Sequence, residues 1–250
     1  MKDRVVRRLE ILSANKKVKT NLLAEMLDVS FVTVRKDLDV LEKRGIVSRT
    51  HGYVSFDGVC DTGKRMAVNY SVKRKIVQAA ALIIEEGETV MIESGSCCAL
   101  LAEELGLTKK DINIVTNSIF ILNYISKFKN ISITILGGHL QPKSQVLTGD
   151  ITKKCAELIC AEKLFIGTDG FIPEYGFTGR NRLCAEITAE FVNHAKEVYI
   201  LTESSKFNSR GAYKLLKFDK LAGVFTDNGI PKDAEAVLKN NNVRVFKVPV

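Results

Sequence analysis

The sequence predicts an α/β protein in two parts: a small N-terminal winged helix-turn-helix domain, residues 1–57, and a larger α/β domain with a mainly parallel sheet, residues 72–250. A linker is expected over 58–71. Three observations lead there. The first 56 residues show helical apolar spacing broken by short turns, then strand-like alternation. Beyond residue 72, seven short apolar runs follow one another, most of them separated by helical stretches. The charge is also uneven: the net +8 divides equally between residues 1–58 and the 192 that follow, so positive charge is about three times denser in the head.

Composition bounds the rest. At 250 residues and 46% hydrophobic content the chain can bury a real core, and four Pro with 17 Gly exclude a low-complexity or collagenous chain. No apolar run reaches the roughly 18 to 20 residues of a membrane-spanning helix, so no membrane partner is expected. The start, Met1-Lys2-Asp3-Arg4, is charged and lacks a secretory signal, which predicts a cytoplasmic protein with reduced thiols. The six cysteines contain no C-x-x-C pair and the three histidines lie far apart, so neither a metal site nor a cofactor is expected.

Within the head, Val5, Leu9 and Leu12 share one face of a first helix over residues 3–13. After a basic break at residues 15–19, Thr20 is the expected N-cap of a second helix carrying Leu22, Leu23, Met26 and Leu27. Asp28-Val29-Ser30 forms a turn, and Ser30 caps a third helix from Phe31 to Arg44 by accepting from the backbone near Thr33. Val34, Leu38 and Leu41 face inward; Val32, Lys36, Asp39 and Lys43 face outward, with Arg35 on the flank; Gly45 ends the helix. Two helices joined by so short a turn place the second in a DNA major groove, with its N-terminal residues at base edges and phosphates. Ser30, Val32, Thr33, Arg35 and Lys36 are the expected contacts, with Thr20 beside them. Residues 46–56 alternate as a β-hairpin whose Arg49 and His51 can run along a phosphate backbone. The plainer alternative is a small packing module with a solvated basic face.

The run from Val29 to Gly52, with Val29-Ser30, Thr33-Val34-Arg35-Lys36-Asp37-Leu38, Leu41-Glu42, Gly45 and Arg49-Thr50-His51-Gly52, resembles the DeoR-type winged helix-turn-helix of bacterial sugar-metabolism repressors. One departure is Tyr53, where that family usually has a second Gly; it implies a different backbone shape at the hairpin tip.

In the larger part a helix is expected over 72–84, and strands at 89–92, 112–115, 131–136, 163–166, 198–201, 223–226 and 243–248. Ligands of such sheets bind beyond the carboxyl ends of the strands. There stand Glu93-Ser94-Gly95-Ser96, Thr116-Asn117-Ser118, Gly137-Gly138, Gly167-Thr168-Asp169-Gly170 and Ser204-Ser205-Lys206. These are Gly, hydroxyl and amide groups with one cation, a set suited to a sugar phosphate. The same segments, with Ser144-x-x-x-x-Gly149 and Gly176-Phe177-Thr178, resemble the DeoR-family sensor domain, whose fold is similar to that of ribose phosphate isomerases. The resemblance implies an effector pocket for a phosphorylated sugar, with the Gly95 loop and Lys206 nearest the phosphate and Ser94, Ser96, Asn117, Ser118, Gly138, Asp169 and Thr178 around it. Cys97 departs from the usual Thr, which leaves the grip to Ser94, Ser96 and backbone N–H groups.

The resulting expectation is a DNA-binding transcriptional regulator, a homodimer or homotetramer that represses a carbohydrate-utilisation operon and leaves double-stranded operator DNA on binding a phosphorylated sugar. The alternative is a sugar-phosphate isomerase-like enzyme with a DNA-binding head, using Asp169, Glu186 or Glu203 as base. Each has a plain role available: a turn, a solvated helix face, and the orientation of Lys206, so no catalytic residue is expected. A third possibility is a body that only joins the heads.

Overall fold

The computed structural model describes residues 11–12, 17–56 and 61–250. The chain divides into two compact units, Met1–Ser71 and Val72–Val250.

In the first unit, Ile11 and Leu12 are helical and Leu12 is buried; the remainder of the expected first helix lies outside the described residues. The basic break contains a strand, β1 (Lys17–Lys19), whose exposed-buried-exposed alternation over three residues is too short to stand out in the sequence. Helix α1 (Thr20–Met26) has Lys19, not Thr20, at its N-cap position, without a side-chain cap. Thr20 instead joins the helix, and its Oγ1 donates to the Gly52 carbonyl 3.1 Å away. Of the four apolar residues expected inside, Leu23 and Leu27 are buried and Leu22 and Met26 are exposed, because the helix is only two turns long and packs one narrow stripe. Helix α2 (Phe31–Lys43) forms as expected: Ser30 Oγ accepts from the Thr33 N–H at 3.2 Å, and Val34, Leu38 and Leu41 are buried.

Strands β2 (Ser48–Thr50) and β3 (Tyr53–Ser55) make the hairpin, and the three-stranded sheet has the order β1-β3-β2. His51 and Gly52 both have positive φ, 48° and 80°, as a two-residue type I′ turn requires. Tyr53 already lies in the strand, paired with Thr50 on one side and Lys19 on the other. The turn therefore needs no second glycine. The segment expected as a linker holds helix α3 (Asp61–Ala67), whose buried Thr62, Gly63, Met66 and Ala67 repeat over too few turns to show a period.

Helix α4 (Tyr70–Ala81) leads into the second unit. Its strands and helices follow in chain order as β4 (Thr89–Ile92), α5 (Ser96–Thr108), β5 (Ile112–Thr116), α6 (Ile119–Ile125), β6 (Ile131–Ile135), β7 (His139–Gln141), β8 (Val146–Thr148) and α7 (Asp150–Ala156). Then come β9 (Ala161–Gly167), β10 (Gly170–Ile172), β11 (Gly176–Gly179), α8 (Arg182–Phe191), β12 (Ala195–Leu201), β13 (Tyr213–Lys214), β14 (Gly223–Asp227), α9 (Lys232–Asn240) and β15 (Arg244–Val248).

All seven expected strands enter one parallel sheet, ordered β15-β14-β12-β9-β4-β5-β6. Its central members are buried on both faces, which explains their unbroken apolar runs: every residue of β14 and all but the first of β4 are buried. Helix α5 is buried around nearly its whole circumference and packs against β9. Four phenylalanines, Phe171, Phe177, Phe191 and Phe207, fill the core on the side of α8. The sequence reading missed the antiparallel hairpin β7-β8 and the small antiparallel sheet β10-β11-β13, both built of strands of two to four residues.

The strand order has a functional consequence. From β4 the chain runs outward to β5 and β6, then returns to β9 beside β4 and runs outward the other way to β12, β14 and β15. The β4/β9 boundary is thus the point where the winding reverses, and sheets of this kind bind ligands at the carboxyl ends of the strands beside such a point.

Candidate functional site

The head presents a groove of about 430 Å³ between the start of α2 and the hairpin, lined by Thr20, Phe31, Arg35, Glu42, Arg49, Thr50, His51, Gly52 and Tyr53. On the outer side of α2, Val32 is 61% exposed, and Ser30, Arg35 and Lys36 are also exposed, while Thr33 is half-buried against the Ser30 hydroxyl at 2.9 Å. The Arg35 guanidinium lies 6.0 Å from the Phe31 ring centroid, which props it at the groove. Because the helix buries Val34, Leu38 and Leu41, this opposite face is the one exposed to solvent.

Two residues expected at the DNA are occupied within the head. Thr20 is buried, with its hydroxyl and N–H both on the Gly52 carbonyl. Arg49 is engaged by α2: its backbone N–H donates to Glu42 Oε1 at 3.1 Å, its Nε to Oε2 at 2.8 Å, and a terminal nitrogen lies 2.5 Å from Asp39 Oδ1. The hydrogen bond from Glu42 is the chief reason the guanidinium is held more firmly in its charged form than usual. These contacts fix the angle of the hairpin against the recognition helix. His51 sits exposed at the hairpin tip. Tyr53, marked in the sequence only as a departure from glycine, carries Lys17 at 4.8 Å and Lys19 at 5.8 Å over its ring. The Lys-Val-Lys alternation was the available signal.

In the second unit, the loops that leave β4 and β9 meet at the reversal point. A Cβ at Gly167 would stand 3.2 Å from the Ser94 carbonyl, so glycine permits that approach. Gly95, at φ 108°, is the N-cap of α5 and, having no side chain, supplies no side-chain cap, so the positive end of the helix dipole lies at this loop. Ser94, Gly95 and Ser96 are all partly accessible, and Ser94 Oγ donates to Glu93 Oε1 at 2.7 Å.

The remaining expected residues divide. Asn117 is buried; its Nδ2 donates to the Leu147 carbonyl at 2.9 Å, while its Oδ1 is buried with no hydrogen-bond partner. Ser118 caps α6 by accepting from the Ile121 N–H, and the Thr178 hydroxyl accepts from the Gly211 N–H at 2.9 Å, so both hydroxyls hold loops in place. Gly138 passes so close to Thr152 and the Thr148 carbonyl that no side chain fits. Lys206 stands on the 3-10 turn Ser204–Asn208 beyond β12, half-exposed.

The three carboxylates weighed as bases are otherwise engaged. Asp169 Oδ2 accepts from the Arg180 N–H at 2.9 Å. Glu186 pairs with Arg182 at 2.9 Å. Glu203, expected to orient Lys206 by its side chain, instead forms a buried pair with Lys73 of α4 at 3.1 Å, and only its carbonyl receives the Lys206 N–H. Among the described residues no helix is long and apolar enough to cross a membrane, and no group of three or more His, Cys, Asp and Glu is placed to hold a metal.

Comparison with known proteins agrees with this layout. The family model described as the DeoR-like helix-turn-helix domain matches residues 7–58, and that of the DeoR C terminal sensor domain matches residues 68–228. The transcriptional repressor GlcR of Bacillus subtilis is 27% identical over 96% of this chain and 93% of its own length. The lactose phosphotransferase system repressor of Staphylococcus epidermidis is 26% identical over 90% of this chain and 92% of its own. A ribose 5-phosphate isomerase A from Methanocaldococcus jannaschii superposes on 56% of this chain and 55% of that one with a TM-score of 0.42 at 16% identity, a slight likeness. GlcR and the lactose phosphotransferase system repressor are named as repressors, and with both family models matched in order along it the chain belongs to the DeoR family of helix-turn-helix transcriptional regulators.

Proposed function

We propose that this protein represses a carbohydrate-utilisation operon and leaves its operator when a phosphorylated sugar binds the sensor domain. The observation that carries the effector half is the N-terminus of α5 behind the glycine N-cap Gly95, at the β4/β9 reversal point. The positive dipole end of a long helix favours an anion, and the hydroxyls of Ser94 and Ser96 add donors. Asn117 Oδ1 offers an acceptor to a sugar hydroxyl, and Lys206 supplies the cation. Asp169 and Gly138 shape the loops on either side; Ser118 and Thr178 support the site from behind. The relative named as the lactose phosphotransferase system repressor supports a carbohydrate effector.

In the head, Ser30, Val32, Thr33, Arg35 and Lys36 meet base edges and phosphates, with His51 at the wing tip. One such head covers little DNA, so a homodimer or homotetramer reads repeated half-sites. The effector acts by binding one arrangement of heads more tightly than the other.

The test is a thermal-shift panel of sugar phosphates on the full chain, run beside a coupled turnover assay. Stabilisation without turnover is expected, by about 2.7 kcal/mol at a ligand concentration one hundred times Kd. Lys206→Ala should bind DNA as the parent does and fail to respond to the effector. Absence of any shift across a broad panel sinks the effector reading, and turnover would make the sensor domain an enzyme.

A further inference from the structure

The head carries cations that the recognition helix does not account for. Lys17 and Lys19 are the two outward residues of β1, on either side of the buried Val18. Period-two alternation puts both ammonium groups on one face of the three-stranded sheet, and the register sets Lys19 directly across from Tyr53. Both lie over the Tyr53 ring, at 4.8 and 5.8 Å from its centroid. The negative face of the ring holds them there together.

Two like charges gathered on one ring repel each other unless an anion joins them. Among the described residues no carboxylate does so for either lysine, in contrast to Arg49 nearby, which Asp39 and Glu42 neutralise. The lysine pair also continues the groove. Thr20, the next residue after Lys19, ties the end of β1 to the wing tip through the Gly52 carbonyl, and Tyr53 lines the same groove as Arg35 and Phe31. A chain of anions lying against Arg35 and passing the wing tip arrives at Lys19 and then Lys17.

We infer that Lys17 and Lys19, positioned by the Tyr53 ring, form a second grip on the DNA sugar-phosphate backbone, on the far side of the wing tip from the recognition helix. The inference rests on the DNA-binding reading of the head. The grip is sequence-independent, since ammonium groups on a sheet face touch phosphates and carry no base code. Tyr53 is a positioning residue: it contributes no charge and acts by holding two charges where a phosphate can bridge them.

The experiment uses the full-length protein and a fluorescein-labelled 30-base-pair duplex of mixed sequence, with affinity measured across a range of KCl concentrations. Each lost phosphate contact lowers the slope of log K against log salt by about 0.9, so the double variant Lys17→Ala/Lys19→Ala should lose about 1.8 per bound head. Lys17→Arg/Lys19→Arg should retain the parent slope. Tyr53→Leu, which keeps a strand-compatible apolar side chain but removes the ring, should lower the slope although no charge is deleted, while Tyr53→Phe keeps it. Circular dichroism melting of each variant reports whether the head remains folded. Arg35→Ala serves as the reference for the recognition helix. If Arg35→Ala lowers the slope while the double lysine variant does not, the second grip is wrong and the DNA-binding reading stands. If neither variant changes the slope, the DNA interface itself has been misplaced and the grip falls with it.

Discussion

Arg49 in the first wing strand and Glu42 in the last turns of the recognition helix are joined twice, once through the Arg49 backbone N–H at 3.1 Å and once through its Nε at 2.8 Å. Asp39, one turn earlier on the helix, holds the same guanidinium. A residue whose charge suggests DNA thus ties the hairpin to the helix before it. Arg49→Ala should destabilise the head by on the order of 1 kcal/mol, since these groups are partly solvated and each exposed pair is worth little. Its salt slope for duplex DNA should stay at the parent value. A fall of about 0.9 would mean that Arg49 reaches a phosphate.

The opposite result is expected at Arg35 and Lys36, which are exposed on the outer side of the same helix. Arg35→Ala and Lys36→Ala should each weaken binding and lower the slope by about 0.9. Fluorescence anisotropy at four or five salt concentrations distinguishes a phosphate contact from a base contact, because only the former changes the slope.

Lys73 and Glu203 are 3% and 8% exposed at the side chain and lie 3.1 Å apart. Removing one partner strands a buried charge, so Glu203→Gln should cost about 3 to 5 kcal/mol. Urea unfolding of the sensor domain reads this directly; a loss below 1 kcal/mol would show that water reaches the pair.

Two glycines of the strand-exit loops should respond differently to alanine. At Gly138 a Cβ would overlap Thr152 Oγ1 and crowd the Thr148 carbonyl, and φ is 151°. Gly138→Ala is expected to cost about 3 kcal/mol or more from crowding and backbone strain together. At Gly95 nothing lies within 4 Å and only the φ of 108° resists, so Gly95→Ala should cost about 1 to 2 kcal/mol. Equal losses at the two sites would contradict the crowding at Gly138.

Glu235 on α9 accepts from Lys239 and Lys247, at 2.7 and 3.0 Å, and these hydrogen bonds hold its carboxyl below its ordinary value of 4.5. A depressed folded-state pKa contributes stability above the unfolded value and loses it as pH falls through the folded one. Glu235→Gln should therefore melt earlier than the parent at pH 7, with the difference closing below pH 4.5 as the parent carboxyl protonates. A difference that persisted at pH 2 would point to packing instead of charge.

Much of this was legible in the sequence where the governing physics is local. The Ser30 cap, the inward triad Val34, Leu38 and Leu41, and the seven apolar runs of the parallel sheet depend on residues within a turn or a strand of one another. So does the Gly-rich chemistry of the strand exits. Very short elements were not legible: β1, α3 and the β7-β8 hairpin repeat too few times to show a period. Tyr53 stands as an unexplained substitution until Lys17 and Lys19 are seen across its ring.

By itself, then, the sequence determined the two-part architecture, the recognition helix and the class of groups gathered at the carboxyl ends of the strands. Only the tertiary structure decided which of those groups are available. It placed β9 beside β4 and so located the reversal of the winding, turned Ser118 and Thr178 into loop supports, and joined Glu203 to Lys73. It also neutralised Arg49 while, among the described residues, no carboxylate meets Lys17 or Lys19. The physical reason is common to all of these. A charge or hydroxyl is free to meet a ligand only if nothing else in the fold has already met it, and that depends on partners brought close in space from distant parts of the chain.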